Sequence, residues 1–271
     1  MSAPDTALGL LLHLSGPLQS WGTRSHYNER DTLTHPTRSG IIGLLAACLG
    51  RARHHSTEDI ARLSLTTRTD RPGVLLRDLH TVGGGLPAKG TVTTAEGKKR
   101  PPAQATLLSH RSYLADAAFT ACLTGDPATL RTCEQALLAP HWPPYLGRRS
   151  CPPEGPLLLG LLPNPLHHLV HLPLARPRPR SGDVRIDFHS DAPLDHLSPR
   201  ALVHQQNADQ EGAVAVSELN DDPQGARTFR ARTLYQRTLP GPADQCAGLG
   251  TAYLTALSAY LDTARSEGTA R

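Results

Sequence analysis

Residues 14–50 read LSGPLQSWGTRSHYNERDTLTHPTRSGIIGLLAACLG, and the other motifs of the chain are arranged around this stretch. The apolar run that leads into it predicts a buried strand from about Ala7 to Leu14, which Gly16-Pro17 ends. An apolar stripe at helical spacing then predicts a helix from about Ser39 to Leu49. Thr37 or Ser39 can cap its first free N–H groups.

The start of this helix is a candidate anion site. Arg38 stands at its first turn, followed by Gly40 and Gly43. Free N–H groups and the helix dipole favour a phosphate at such a position. The alternative is that the two glycines only permit close packing, and the spacing alone leaves both interpretations open.

The rest of the pattern alternates strands and helices. We predict a short helix at 57–63, strands at 65–69 and 74–82, a strand at 110–123, a helix from Asp126 to before Pro140, a strand at 157–162, strands at 184–188 and 228–239, and a helix at 247–264. The order strand, helix, strand, long excursion, strand, helix, strand is that of the split ferredoxin-like arrangement. Two helices would then cover one face of a sheet and leave the other face for a ligand or a second domain.

Two segments have little apolar content. Gly83–Ser109 contains three consecutive glycines and the basic run Lys98-Lys99-Arg100, so it cannot form core and is either functional or a mobile insertion. Asp209–Gly225 is polar and is predicted to be a mobile loop.

The charge, the cysteine content and the hydropathy of the chain bear on which classes of partner and compartment are expected. The net charge of +4 is weak support for an anionic partner, whereas the preference for Arg over Lys suits planar contacts to phosphates and bases. The five cysteines form no C-x-x-C pair, which argues against a disulfide framework or a zinc knuckle. No leader or membrane-spanning run is visible, so we expect a cytoplasmic protein without a membrane partner.

Metal and cofactor sites are not expected. His167 and His171 could share a helix face, but prolines bound their segment and no Glu or Cys ligand is near. A metal-free ribonuclease would need a general base and a general acid. That set could come from the loop and excursion residues His26, Tyr27, His80, Lys89 and His110, although the sequence alone does not bring them together.

The loop Tyr145-Leu146-Gly147-Arg148-Arg149-Ser150-Cys151-Pro152-Pro153 is a candidate phosphate-binding loop. Gly147 would permit close backbone approach, and Arg148 and Arg149 can form forked contacts with phosphates. Ser150 can donate to a further oxygen. Cys151 reads as a packing residue rather than as a nucleophile.

Five stretches, taken in order, resemble the CasD family of subunits of the type I-E CRISPR effector complex Cascade, within the RAMP superfamily: GPLQSWG (16–22), HPTRSGIIGLLAACLG (35–50), RDLHTV (77–82), YLADAAFTACL (113–123) and YLGRRSCPP (145–153). The similarity covers about residues 7–165 and is fainter over the Arg-rich strand at 228–237. The resemblance implies an α+β fold: a ferredoxin-like (RRM-like) domain at 1–165 with a long β-hairpin thumb at about 83–109, a smaller C-terminal β subdomain at 166–246, and a helical extension at 247–271.

The resemblance also implies a function. Members bind the 5′ handle of the CRISPR RNA (crRNA), cap one end of the filament of the backbone subunit CasC, and abut the large subunit CasA, so that target DNA is met only indirectly. In type I-E systems a separate subunit cuts the RNA, which implies a non-catalytic role here. The alternative is a metal-independent endoribonuclease that processes repeat RNA, as in type I-C relatives.

Fourteen residues are the resulting candidates for RNA contact, with no catalytic and no metal-binding residue among them. They are Gln19, Trp21, Arg24, Arg30, Arg38, Ser39, Gly40, Lys89, Arg111, Gly147, Arg148, Arg149, Ser150 and Cys151. In such a set the arginines and backbone N–H groups would contact phosphates, and Trp21 would stack on a base. The alternative is that Trp21 belongs to the core.

Overall fold

A computed structural model describes residues 7–23, 25–26, 28–83, 90, 93–94, 97–99, 101, 105–195, 197, 210–221 and 227–269. Within these ranges the side chains at 25–26, 210–221, 227–231 and 267–269 are not described. The strands are β1 (Leu8–Ser15), β2 (Leu18–Gln19), β3 (Ser25–His26), β4 (Glu29–Arg30), β5 (Ser64–Arg71), β6 (Val74–Val82), β7 (Leu107–Ala115), β8 (Ala118–Thr124), β9 (Leu158–Pro163), β10 (Val184–Ser190), β11 (Gln210–Asp221) and β12 (Arg227–Gly241). The helices are α1 (Arg38–Cys48), α2 (Pro127–Leu138), α3 (Pro165–His171) and α4 (Gly250–Thr269).

The strands form a large and a small sheet. The large sheet has the order β11-β12-β10-β5-β8-β1-β9, with antiparallel pairing throughout, and the small sheet has the order β2-β7-β4-β3 with β6 beside β7. The fold is therefore a mixture of helices and largely antiparallel sheet. None of the helices that the structure describes has the length and hydropathy needed to cross a bilayer.

One face of the large sheet is covered by α1 and α2. Leu10, Leu12 and Leu14 on β1 alternate toward this face and are fully buried with Ile41 of α1 and Leu130 of α2. The alternation follows from the two-residue period of a strand, which sends every second side chain to one face. Asp126 caps α2 by accepting a hydrogen bond from the Thr129 N–H at 2.8 Å, as the Asp-Pro pair predicts.

The opposite face, which we expected to receive a ligand or a second domain, is covered by α3 and α4. Leu11 of β1, between the leucines of the first core, packs here in a second core. Tyr253, Leu257 and Leu261 of α4 belong to the same core and are nearly inaccessible to solvent. The predicted C-terminal helix is therefore a structural layer of the sheet.

A buried ion pair joins the large sheet to α3. Arg68 and Asp70 on β5 are both completely buried, with Arg68 Nε donating to Asp70 at 2.6 Å. The Arg68 guanidinium also donates to the carbonyl oxygens of Leu169 and Leu172 at 2.7 and 2.8 Å. These carbonyls lie at the C-terminal end of α3, where helix carbonyls have no intrahelical partner, so Arg68 satisfies them.

The strand predicted at 110–123 is in fact two strands, and this prediction was wrong. The chain breaks between β7 and β8 at Asp116, whose φ of 56° is left-handed. Arg71 holds this turn by donating to the Asp116 carbonyl and carboxylate at 2.5 and 2.7 Å. Gly73, in the turn between β5 and β6, also has a left-handed φ of +72°. At these two turns the β5–β8 pair of the large sheet continues into the β6–β7 pair of the small sheet.

Two other predictions differ from the structure. The polar segment 209–225, expected to be a mobile loop, contains β11, whose residues pair with β12 from Gln210↔Thr238 to Asp221↔Arg227. Backbone pairing does not require apolar side chains, which explains why composition missed it. The predicted helix at 57–63 is only a 3₁₀ turn at Ile60–Arg62.

The excursion at 83–109 is described only in part. Within that part Thr93 and Lys99 form an antiparallel bridge, and the Thr94 N–H donates to the Lys98 carbonyl at 2.8 Å. Lys98 and Lys99 are exposed. Lys89 and Arg100 lie outside the described residues.

Candidate nucleic-acid interface

The loop at 145–151 is fixed against the end of β2. The Ser20 N–H donates to the Leu146 carbonyl at 3.0 Å, and the Leu146 N–H donates to the Cys151 carbonyl at 2.7 Å. Gly147 has φ +86°, and a Cβ at this position would lie 1.6 Å from the Ser20 carbonyl oxygen. Only glycine permits this approach, so the loop and the start of the 14–50 stretch form one rigid unit.

Arg148 holds this unit to the small sheet. Its guanidinium donates to the carbonyl oxygens of Ser112 at 3.0 Å and of Arg30 and Asp31 at 3.1 Å. It also lies over the Tyr113 ring, 4.6 Å from the centroid. These contacts engage the guanidinium, so Arg148 positions the loop and cannot make a forked phosphate contact without giving them up.

Arg149 and Ser150 occupy the outer side of the same turn. Both are exposed, and among the residues that the structure describes Arg149 has no ion-pair partner. The turn is closed by a hydrogen bond from the Cys151 N–H to the Arg148 carbonyl at 2.8 Å. Arg149 is therefore a cation presented to solvent on a rigid loop.

Cys151 packs inside the protein, so its side chain is not available for the RNA contact predicted for it. Its side chain is fully buried, and desolvation raises the pKa of its thiol above the ordinary value. A thiol that stays protonated is a poor nucleophile.

Gln19 and Trp21 are removed from the candidate RNA-contacting set because both are completely buried. The Gln19 side-chain amide donates to the carbonyl oxygens of Leu14 and Ala117 at 3.0 and 2.8 Å, and its oxygen accepts from Trp21 Nε1 at 3.0 Å. Polar residues in a loop sequence look available for binding, but these two satisfy each other inside the core.

The start of α1 is a packed corner. Thr37 caps it by accepting from the Gly40 N–H at 3.2 Å. A Cβ on Gly40 would lie 2.7 Å from the Trp21 ring, so this glycine serves close packing. Ser39 beside it is half-buried. Arg38 donates to the Asp191 carboxylate and to the Ala61 carbonyl, so its guanidinium is held within the protein.

Asp191 was missed by sequence reasoning, although it organises a cleft beside α1. Its carboxylate accepts from Arg38, from Arg232 on β12 and from the Leu65 N–H, the last at 3.0 Å. The cleft encloses about 540 Å³ and is lined by Arg38, Arg62, Leu63, Ser64, Asp191, Arg232, Thr233 and Tyr235. Two of its arginines are paired within the protein, which weakens its attraction for an anion.

A pair of stacked imidazoles is formed by two histidines that lie close to Arg38 and Asp191 in the sequence. The rings of His35 and His189 are 4.0 Å apart at 11°. Burial, reinforced by the neighbouring His189 and Arg232, lowers the pKa of His35 to about 3. Burial likewise lowers the pKa of His189. Both rings are therefore neutral near pH 7.

The small sheet brings two predicted arginines together. In its register Arg30 of β4 is the partner of Arg111 of β7, and Asp78 of β6 is the partner of Arg111 on the other side. The positions of Arg24 and Lys89 lie outside the described residues. Strand register depends on pairing that the sequence does not display, so this neighbourhood could not be predicted.

Of the five residues considered for a metal-free ribonuclease, the structure describes the side chains of only two, His80 and His110. Tyr27, Lys89 and the side chain of His26 lie outside the description. His80 Nε2 contacts the Asp78 carboxylate at 2.6 Å, whereas the His110 N–H donates to the Asn28 carbonyl at 2.8 Å.

The histidines of α3 line a separate cavity of about 450 Å³ between α3 and α4. His167 and His171 stack at 4.0 Å, and His168 Nδ1 is 3.0 Å from the Tyr260 hydroxyl. Across the described residues no three His, Cys, Asp or Glu side chains are grouped so that they could hold a metal ion.

Comparison with known proteins gives consistent matches. The model of a family described as "CRISPR-associated protein (Cas_Cas5)" matches residues 9–235. The "CRISPR system Cascade subunit CasD" of Escherichia coli (strain K12) is 40% identical over 159 residues, which is 56% of this chain and 70% of that protein.

Two solved structures are also similar. A chain of a "CRISPR RNA-guided surveillance complex" has a TM-score of 0.77 at 38% identity, covering 94% of this chain and 99% of that one. A "Crystal structure of Cas protein" has a TM-score of 0.57 at 30% identity, covering 89% of this chain and 98% of that one.

Proposed function

The chain belongs to the Cas5 family of CRISPR-associated proteins, and we propose that it is the subunit of a type I-E Cascade complex that holds the 5′ handle of the crRNA. In this role it caps one end of the CasC filament, adjoins CasA, and meets target DNA only through the guide. It works in the cytoplasm and does not cut RNA.

The fold assignment that goes with this role is a ferredoxin-like domain with a thumb. Its support is the arrangement of β1, β5, β8 and β9, which alternate with α1 and α2 in the chain and lie in the sheet in the order β5-β8-β1-β9. That arrangement corresponds to the split order of the ferredoxin-like fold. The β6–β7 pair and the bridge beyond it support a hairpin thumb.

The observation that carries the RNA-binding proposal is the cluster of arginines around the small sheet. Arg30 and Arg111 are register partners. Arg148 ties the rigid 145–151 loop to the Arg30 carbonyl, and the same loop presents Arg149 to solvent. Phosphate contacts from such cations position a nucleic acid, and contacts to splayed bases specify it.

The test uses labelled repeat RNA and purified protein in EDTA, alone and with the partner subunits. We expect the RNA to remain intact and to be retained in the assembled complex, with affinity falling as salt rises, since each phosphate contact to a single strand contributes a slope of about −0.7. A discrete cut in the RNA would overturn the non-catalytic assignment. Retention that does not depend on salt would overturn phosphate binding.

Arg149→Ala sharpens the test. We expect it to weaken RNA retention several-fold and to reduce the salt slope by about 0.7. The matched control is Arg131→Ala, which removes an exposed arginine from α2 and should leave retention unchanged. Equal retention by both variants would remove Arg149 from the interface.

A further inference from the structure

The cavity between α3 and α4 has no part in the proposed function. It encloses about 450 Å³, which is within the range of sites for small molecules. It is formed by α3, by the 3₁₀ turn Ala243–Gln245 and by α4. Its polar lining residues include His167, His168, His171, Asp244, Gln245 and Tyr260. The cavity therefore combines space for a ligand with polar side chains that can recognise one.

Gln245 contributes a buried acceptor that has no partner in the part of the chain that the structure describes. The residue is 3% exposed, and its Nε2 donates to the carbonyl oxygens of Val170 and Leu172 at 2.6 and 2.9 Å. These two bonds fix the plane of the amide, whereas its oxygen Oε1 makes no hydrogen bond. Buried polar groups in folded proteins are almost always hydrogen-bonded, so we expect the ligand of this cavity to carry a donor.

The charge of the lining favours a cation. Asp244, the neighbour of Gln245 in the same turn, is exposed and also lines the cavity. No lysine or arginine is among the described residues that line it. A carboxylate accepts hydrogen bonds and donates none when it is ionised. An anion would therefore be repelled by Asp244 and would find no positive charge to compensate.

The histidine rings of α3 favour a planar group. The rings of His167 and His171 stack with their centroids 4.0 Å apart at 25°. His171 Nδ1 donates to the His167 carbonyl oxygen at 2.8 Å, one helical turn away, which holds the two rings in this arrangement. A guanidinium is planar and stacks on aromatic faces, whereas an ammonium is a compact and strongly hydrated point charge.

We propose that this cavity binds a guanidinium group, which lies against the His167–His171 stack and donates to Gln245 Oε1 and to the Asp244 carboxylate. A guanidinium presents five N–H donors in one plane, so it can serve both acceptors while its face contacts a ring. A small free guanidinium compound and an arginine side chain of another protein offer the same chemistry, and the experiment separates these two sources.

The test is isothermal titration calorimetry of the full chain at pH 7.5, with butylguanidinium as the probe and butylurea as its neutral isostere. We expect one butylguanidinium to bind per chain, and butylurea to bind about tenfold more weakly, a loss the size of one charged hydrogen-bonded contact. The absence of saturable binding would overturn the proposal. Equal affinities for the two probes would overturn it as well, because the cavity would then recognise the apolar chain.

Repeating the titration with the assembled complex identifies the source of the group. Binding of butylguanidinium that persists in the complex would assign the cavity to a free small molecule. Binding that is present in the isolated chain and lost in the complex would assign it to an arginine of a neighbouring subunit.

Two substitutions locate the binding. Ala256 on α4 lines the cavity, so Ala256→Leu should fill it and lower the affinity for butylguanidinium by more than about tenfold. The matched control is Ala259→Leu, which adds the same side chain at an exposed position of the same helix and should leave affinity unchanged.

Asp244→Asn keeps the shape of the side chain and removes its charge. We expect it to lower the affinity for butylguanidinium several-fold and to leave Tm unchanged, because the residue is exposed. Unchanged affinity in both Asp244→Asn and Ala256→Leu would place the binding elsewhere and overturn the proposal. Neither residue belongs to the small sheet or to the 145–151 loop, so such a failure would leave the proposed RNA-binding function standing.

Discussion

Arg148 and Arg149 are adjacent in the sequence and chemically identical, yet the fold places their side chains in different environments. The Arg148 guanidinium donates hydrogen bonds to carbonyl oxygens of the small sheet, and the Arg149 side chain faces solvent. No sequence pattern distinguishes them, because the acceptors come from residues more than 30 positions away. The sequence gives reason to propose the loop as a candidate site, but it does not reveal the different roles of its two arginines.

Gly147→Ala should be among the most damaging substitutions in the chain. The left-handed φ of +86° costs about 1–3 kcal/mol for a residue with a Cβ. The 1.6 Å approach to the Ser20 carbonyl forces the loop away as well. We expect a loss of more than about 2 kcal/mol in the free energy of unfolding, measured by chemical denaturation.

Gly43→Ala is its control. This glycine lies inside α1, and a Cβ there would meet nothing within 4 Å. Replacing glycine in a helix interior with alanine gains about 0.5–1 kcal/mol. Equal losses at both positions would show that the contact with Ser20 does not control stability.

The buried His35 should make stability depend on pH. Its pKa is about 3 in the folded protein and about 6.5 when unfolded, so between these values the unfolded state binds the proton. The contribution is complete above pH 6.5 and is lost as pH falls toward 3, about 2 kcal/mol of it by pH 5. We expect His35→Gln to flatten the fall in Tm between pH 7.5 and 5. The exposed His54→Gln should not change it, and an unchanged slope in both would contradict the assignment.

At the scale of elements, the periodicity of apolar residues predicted individual strands and helices, whereas the sequence did not reveal which strands pair. The strand predicted at 74–82 has those bounds, and Asp126-Pro127 marked the start of α2. The break at Asp116 was missed because the alternation that runs from Tyr113 to Phe119 continues through it without a Gly or Pro. Arg71 from another strand holds that turn, so its cause lies outside the local sequence.

Helix α4 should contribute to stability as a layer of the second core. Leu257 is 2% exposed in that core, whereas Leu254 on the same helix is 41% exposed. Leu257→Ala should therefore cost about 2–5 kcal/mol in the free energy of unfolding, since it leaves a cavity. Leu254→Ala should stay within about 0.5 kcal/mol. Similar small losses in urea denaturation would mean that α4 does not pack on the sheet in solution.

At the scale of the whole molecule, the three predicted segments 1–165, 166–246 and 247–271 share structure. Strand β5 of the first pairs with β10 of the second through Arg68↔Phe188. The second core collects residues from Leu11 to Ala264 and so draws on all three. Strand pairing and core packing therefore connect residues on both sides of each predicted segment boundary.

This continuity predicts one cooperative unfolding transition, which a chain of this length does not show by default. Trp21 is fully buried in the first core and reports on that region by fluorescence once the half-exposed Trp142 is replaced by Phe. Far-UV circular dichroism reports on helices of both cores, α4 included. We expect both signals to have the same midpoint in urea, because β1 and β8 carry residues of both cores on their two faces, so loss of one core uncovers the strands that support the other. Two midpoints would instead indicate that the segments fold as independent domains.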